Sequence, residues 1–181
     1  MTNRTFCFVV ILPMLGAMSG AMMAGDQVEA PLASSSRYAV LESFVGGTWV
    51  GALPARADGT SMTIEMHFLW NENRQGIRFD SAFIQGGQHQ PYSSGMYAWN
   101  EAKKAFEICY TDAGGSLTAG LARAEGDVLS HELSVTDPSG KVENLRVHLT
   151  KSGADAFTNE IFVQNKGAWE KFVTVRYERR R

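Results

Sequence analysis

The stretch Phe44-Val45-Gly46-Gly47-Thr48-Trp49-Val50-Gly51 decides the fold, because a short helix stops within it and a long series of strands starts from it. Gly46 or Gly47 can take the left-handed conformation that ends a helix, with no Cβ to oppose it. Thr48, Trp49 and Val50 are the β-branched and aromatic residues that suit a pleated, half-buried surface. Upstream, Tyr38, Leu41 and Val45 recur at helical spacing beside Phe44, and Ser36 is placed to cap the helix start. So short a helix needs a surface to lie on. It is expected to plug one end of whatever the strands build.

Downstream, Met62, Ile64, Met66, Phe68 and Trp70 alternate with Thr63, Glu65, His67 and Leu69, the pattern of a strand with one buried face. Comparable stretches cover 77–85, 96–100, 105–111, 116–123, 128–136, 142–151, 157–164 and 169–177. With 48–53 the count is about ten. Gly86-Gly87 opens what reads as a longer loop through Pro91 to Ser94. The other connections, such as Asp137-Pro138-Ser139-Gly140 and Asn165-Lys166-Gly167, are short and turn-forming, so successive strands should be antiparallel neighbours. No second helical layer is available to cover such a sheet, and closing it removes its edges. The expected fold is all-β: an antiparallel up-and-down meander of about ten strands closed into a barrel, with a short N-terminal plug helix. A sandwich is the alternative. A barrel of this strand number has more interior than its own side chains readily fill, which predicts a ligand cavity.

Residues 1–24 carry one positive charge, Arg4, an apolar run from Phe6 to Leu15 and a small-residue tail to Ala24, the pattern of a signal peptide. Cleavage is expected after Ala24, with Ala21 and Ala30 as other small-residue sites; an uncleaved anchor is the competing reading. Cys7 sits inside the apolar run, too near the start for a lipid-attachment cysteine. Residues 25–36 are small, polar and proline-containing and read as a linker, leaving 37–181 as one domain. Removing the signal peptide takes away Arg4 and no acid, so the formal charge falls from −2 to −3, which does not suggest nucleic acid as a partner. No membrane span is expected after cleavage. Cys109 is then the one cysteine, which excludes an internal disulfide and a cysteine-rich metal site.

Catalytic motifs are missing: the chain has no Gly-x-Ser-x-Gly elbow or phosphate loop, and His131-Glu132 lacks the second histidine of a helical zinc site. His89 falls in a Gly/Gln-rich stretch, while His67 and His148 alternate with apolar residues and are expected on polar outer faces, the alternative for His67 being a polar patch with Glu65 inside the barrel. His131 differs, because it shares a face with Leu129, Leu133 and Val135 and should point inward. Either it is a hydrogen-bonded core residue or it anchors a ligand. Tyr97, Tyr110 and Asn159 also fall on mainly apolar faces, and with His131 they form the candidate ligand-binding set.

Gly47-Thr48-Trp49-Val50-Gly51 after a short helix, the turn between Trp99 and Phe106, the turn from Tyr110 to Gly115 and a last strand ending in Arg176-Tyr177 resemble an uncharacterised bacterial lipocalin-like domain family. That family lies within the calycin barrels, which also include nitrobindin-type haem proteins. The resemblance covers about Val40 to Arg179 and implies a lipocalin-like barrel whose first-strand tryptophan, Trp49, closes one end against a basic residue near the last strand, Arg176. Such a cation over an indole contributes ~0.5–2 kcal/mol. The nitrobindin-type relatives imply haem held by a last-strand histidine, but 169–177 contains none, so haem is disfavoured and no cofactor is expected. The leading reading is an exported module that binds a small hydrophobic or amphipathic molecule inside the barrel. The alternatives are a haem protein and a filled barrel that serves as an envelope interaction domain.

Overall fold

The helical spacing before Gly46 gives a 3-10 turn, Ser36–Tyr38, that runs into a single α-helical turn, α1, Ala39–Glu42. Ser36 does not cap α1: the cap position is Tyr38, which makes no side-chain capping bond, because the chain enters through the 3-10 turn. Gly46 and Gly47 both stop the helix, with φ of 82° and 70°. The Gly46 N–H then donates to the Phe68 carbonyl at 3.0 Å, which fixes the helix end to the sheet as the first strand begins. The computed structural model describes residues 36–55, 59 and 61–180. The signal peptide expected over 1–24, its expected cleavage site and the expected linker before Ser36 lie outside the described residues.

Ten strands follow: β1 Thr48–Ala52, β2 Thr63–Trp70, β3 Gly76–Gln85, β4 Gln88–Asn100, β5 Ala105–Asp112, β6 Leu117–Glu125, β7 Val128–Thr136, β8 Val142–Lys151, β9 Ala156–Asn165 and β10 Ala168–Arg180. Each pairs antiparallel with its sequence neighbour, and β1 pairs with β10 to close the barrel. Closure leaves no sandwich arrangement and no free sheet edge along these ladders.

One expected loop is a strand. Gly86 and Gly87 alone make the turn, with φ of 57° and 78°, and β4 starts at Gln88. Two successive positive φ values are what a tight hairpin turn requires. Pro91, which reads as a strand breaker, is accommodated by a bulge: Ser81 pairs with Ser93 and Ala82 with Pro91, so Tyr92 is an extra residue. A second register shift, in β10, places Phe172 between Lys171 and Val173.

The turns between β2 and β3, β4 and β5, β6 and β7, and β8 and β9 gather at the end where α1 lies. That end is packed with aromatic rings: Phe44, Phe68, Trp49 and Phe157 are fully buried, and Phe157 stacks on Tyr177 with centroids 4.6 Å apart and planes 7° from parallel. Tyr38 adds edge contacts with Trp70 and Phe106, each at 5.3 Å, and donates to the Gln75 carbonyl at 2.6 Å. Large aromatics fill volume with few rotatable bonds, so this end is sealed at low entropic cost. Among the described residues no helix is long and apolar enough to cross a membrane.

Candidate functional site

The plug is latched through the carbonyls that every helix leaves unpaired at its C-terminus. The Trp49 indole N–H donates to the Phe44 carbonyl at 2.7 Å, and Arg179 donates to the Ser43 carbonyl at 2.6 Å. The Arg179 guanidinium lies over the Trp49 ring, 4.3 Å from its centroid, with the Lys151 ammonium 5.3 Å from the same ring. Burial, and then the charge of Arg179, lower the pKa of Lys151. The last-strand cation over Trp49 is therefore Arg179, whereas Arg176 was expected. The reason is strand parity: Tyr177 is inward and opposite Gly51, so Arg179 shares its face opposite Trp49. Arg176 points outward beside Glu178.

Beyond the plug, alternation turns all four sequence-predicted ligand residues inward. Tyr97 and His131 are brought together: the Tyr97 hydroxyl is 3.0 Å from His131 Nε2, although β5 and β6 stand between their strands. His131 Nδ1 is 3.1 Å from the Val147 carbonyl. A carbonyl only accepts, so Nδ1 carries the proton, and Nε2 must accept from the tyrosine. Burial lowers the His131 pKa to about 4, which keeps the ring in this neutral form. β6 makes room for the bond with small inward residues, Ala122 opposite His131 and Gly120 next along the face. At Gly120 an added Cβ would lie 2.0 Å from the Glu132 carbonyl oxygen, so no side chain fits there.

Tyr110 and Asn159 have other partners. Tyr110 packs against Phe79, which also touches Tyr97, with centroids at 5.6 and 5.5 Å, and it is hydrogen-bonded to Thr118. Burial raises its pKa, as it does for Tyr97. Asn159 bonds to Tyr177 on the neighbouring strand and leaves a buried Oδ1 with no hydrogen-bond partner.

On the side away from α1, the inward residues Phe83, Tyr110, Leu145, Ile161, Val163 and Val173 are only partly buried, whereas Ser81, Thr118 and Leu133 are buried. The partly buried ones line the mouth of the barrel with apolar side chains, above the Tyr97–His131 pair, which is itself buried. Tyr92, Leu117, Val142 and Phe172 place exposed apolar surface near the same end, and Tyr92 packs on Phe83 at 4.4 Å. Two clefts lie outside the barrel, one of about 890 Å³ between α1 and the turns at Asp127 and Asp155, the other of about 210 Å³ on the outer wall beside Trp169.

On the outer wall of β1 to β3, Thr48, His67 and Asp80 stand directly opposite one another. His67 Nε2 is 3.1 Å from Thr48 Oγ1, and its Nδ1 is 3.1 Å from Asp80 Oδ1. Sequence reasoning placed His67 on the polar face but did not find its partners. The register needed to find them follows from aligning β1 with β2 and β2 with β3. This row lies on a convex, partly exposed surface and ties three strands together.

Neither a protein-family model nor a curated protein matches this chain. Solved structures do. Rv2717c from M. tuberculosis superposes with a TM-score of 0.54 at 12% identity, over 81% of this chain and 99% of that one. EF1p2_mFAP2b bound to DFHBI superposes with a TM-score of 0.41 at 13% identity, over 80% of this chain and 100% of that one. The first likeness is one of fold, and it agrees with a lipocalin-like barrel.

Proposed function

We propose that this protein is an exported module that holds a small hydrophobic or amphipathic molecule in the apolar cup opposite the plug. The observation that carries the reading is the gradient along the barrel axis. Phe44, Trp49, Phe68, Phe106 and Phe157 are at most 1% exposed, whereas Phe83, Leu145, Ile161, Val163 and Val173 at the far end remain partly exposed. Keeping apolar side chains partly wet forgoes ~25 cal/mol for each Å² left exposed, and a ligand that covers them recovers it. Concave apolar walls with a few polar groups are the usual composition of small-molecule sites. Export is supported by the apolar run of 6–15 and the small-residue tail after it.

The nitrobindin-type reading fits these residues poorly. β10 carries no histidine, and His131 has both ring nitrogens engaged, so iron ligation there would have to break the bond to Tyr97. The experiment that tests the binding reading is native mass spectrometry of protein purified from an exporting cell, together with titration by the neutral dye Nile red. A retained small molecule, or saturable dye binding lost on substitution of Leu145 by Glu, supports it. No retained molecule and no dye binding would leave a filled barrel that acts through its surface.

A further inference from the structure

The polar groups facing the cup are unequal in kind. Among the described residues, the lysine and arginine on the inward register of the strands are Lys151 and Arg179, both engaged at the plug with Ser43 and the Trp49 ring, while Lys141 in the turn between β7 and β8 at the mouth is paired with Glu143 at 2.6 Å. Arg78, Arg123, Arg146 and Arg176 sit at positions paired with outward residues. Among the described residues, the strand walls of the cup thus offer no cation to a ligand anion.

A carboxylate is present instead. Asp112 follows Tyr110 on the inward register of β5, opposite Ser93. Its Oδ1 accepts from the N–H groups of Gly114 at 2.8 Å and Ser116 at 3.0 Å, which holds it at the rim. Its charge reaches the aromatic lining: after burial, Asp112 contributes to the raised pKa of Tyr92 and to that of Tyr110.

Deeper in, the Tyr97 hydroxyl proton is given to His131 and the His131 N–H to Val147. Asn159 Oδ1 is the buried side-chain acceptor on this face that has no donor. A buried polar atom without a partner is destabilising, and a ligand group that donates to it relieves that cost. A ligand carboxylate would meet this acceptor and Asp112, lose its hydration and gain no counter-charge.

We propose that the cup selects neutral ligands whose polar end donates a hydrogen bond, such as a long-chain alcohol or primary amide, over carboxylates of the same chain, with Asn159 Oδ1 as the acceptor. This rests on the cup being the binding site, and the test separates the two claims. Full-length mature protein is loaded with Nile red, and displacement is measured at pH 7.5 by dodecan-1-ol, by its isomer 1-methoxyundecane and by dodecanoate.

The alcohol should bind about tenfold more tightly than the isomeric ether, although the ether is the more apolar of the two, and dodecanoate should be weakest. Asn159→Leu should bring the alcohol down to the affinity of the ether, and Asp112→Asn, which keeps a turn-capping oxygen, should strengthen dodecanoate several-fold. An ether that matches the alcohol, or a carboxylate that matches it, overturns the selectivity and leaves the binding function standing. An alcohol preference that survives in folded Asn159→Leu overturns the choice of acceptor. Failure of Nile red and of all three ligands to bind overturns the selectivity and the proposed function together.

Discussion

The two ends of the barrel are built from the same alternating strands and yet are opposite in character. At the α1 end, inward positions carry Trp49, Phe68, Phe106 and Phe157, and the helix adds Phe44 and Tyr38 from below. At the other end they carry Leu145, Ile161, Val163 and Val173, medium-sized side chains that stay partly exposed. What separates them is volume per inward position together with a latch. Three donors, from Trp49, Lys151 and Arg179, satisfy carbonyls at the end of the helix, and two of them are cations over the Trp49 ring. The plug end supplies stability, which frees the mouth to be loosely filled.

The largest expected effect tests that division. Trp49→Ala should lower unfolding free energy by ~3–5 kcal/mol in a denaturant titration, because it removes a fully buried indole and one helix latch. Val173→Ala at the mouth should cost less than ~1.5 kcal/mol, since that side chain is already partly exposed. Equal losses at the two sites would erase the distinction between the ends.

Next comes acid. The pKa of His131 falls from an unfolded value near 6.5 to about 4 in the folded protein. The unfolded chain therefore binds the extra proton between these values, so stability is full above about pH 6.5 and declines as pH falls toward 4. The contribution lost over that window is about 3 kcal/mol, and stability curves of wild type and His131→Leu should converge across it. At neutral pH His131→Leu should itself be destabilising by ~1–3 kcal/mol, because it strands the buried Tyr97 hydroxyl. Adding Tyr97→Phe should recover part of that loss. Parallel pH curves would show that the imidazole is not buried as described.

Arg179→Ala should cost ~1–3 kcal/mol through the lost Ser43 bond and the lost cation–indole contact, against less than ~0.5 kcal/mol for Arg176→Ala. A reversal of that order, measured by thermal melts, would return the latch to Arg176. The smallest effect on stability is expected at the mouth, where Phe172→Ser should shift it by less than ~0.5 kcal/mol because the ring is 72% exposed. If the rim takes part in ligand entry, the same change should slow Nile red association in stopped-flow measurements.

Arg179 was legible in the sequence. Once Tyr177 is placed inward, parity assigns 175 and 179 to the same face and excludes 176, a step that the family resemblance obscured. The strand beginning at Gln88 was partly legible too, since Gly86-Gly87 marks a two-residue turn. Pro91 argued against it, and a bulge that absorbs a proline depends on the partner strand, which local pattern does not describe.

By itself the sequence determined the alternation, the turn chemistry and therefore the ten-stranded meander, because these depend on neighbours a few residues apart. It also placed Tyr97, Tyr110, His131 and Asn159 on inward faces for the same reason. Only the tertiary structure decided that Tyr97 and His131 meet over 34 residues of sequence, that Asn159 keeps an unpaired oxygen, and that Thr48, His67 and Asp80 form a row. Those contacts depend on register and on the curvature of the closed sheet, which close-packing residues such as Gly120 permit. Such distances are set when the barrel closes, and no local periodicity encodes them.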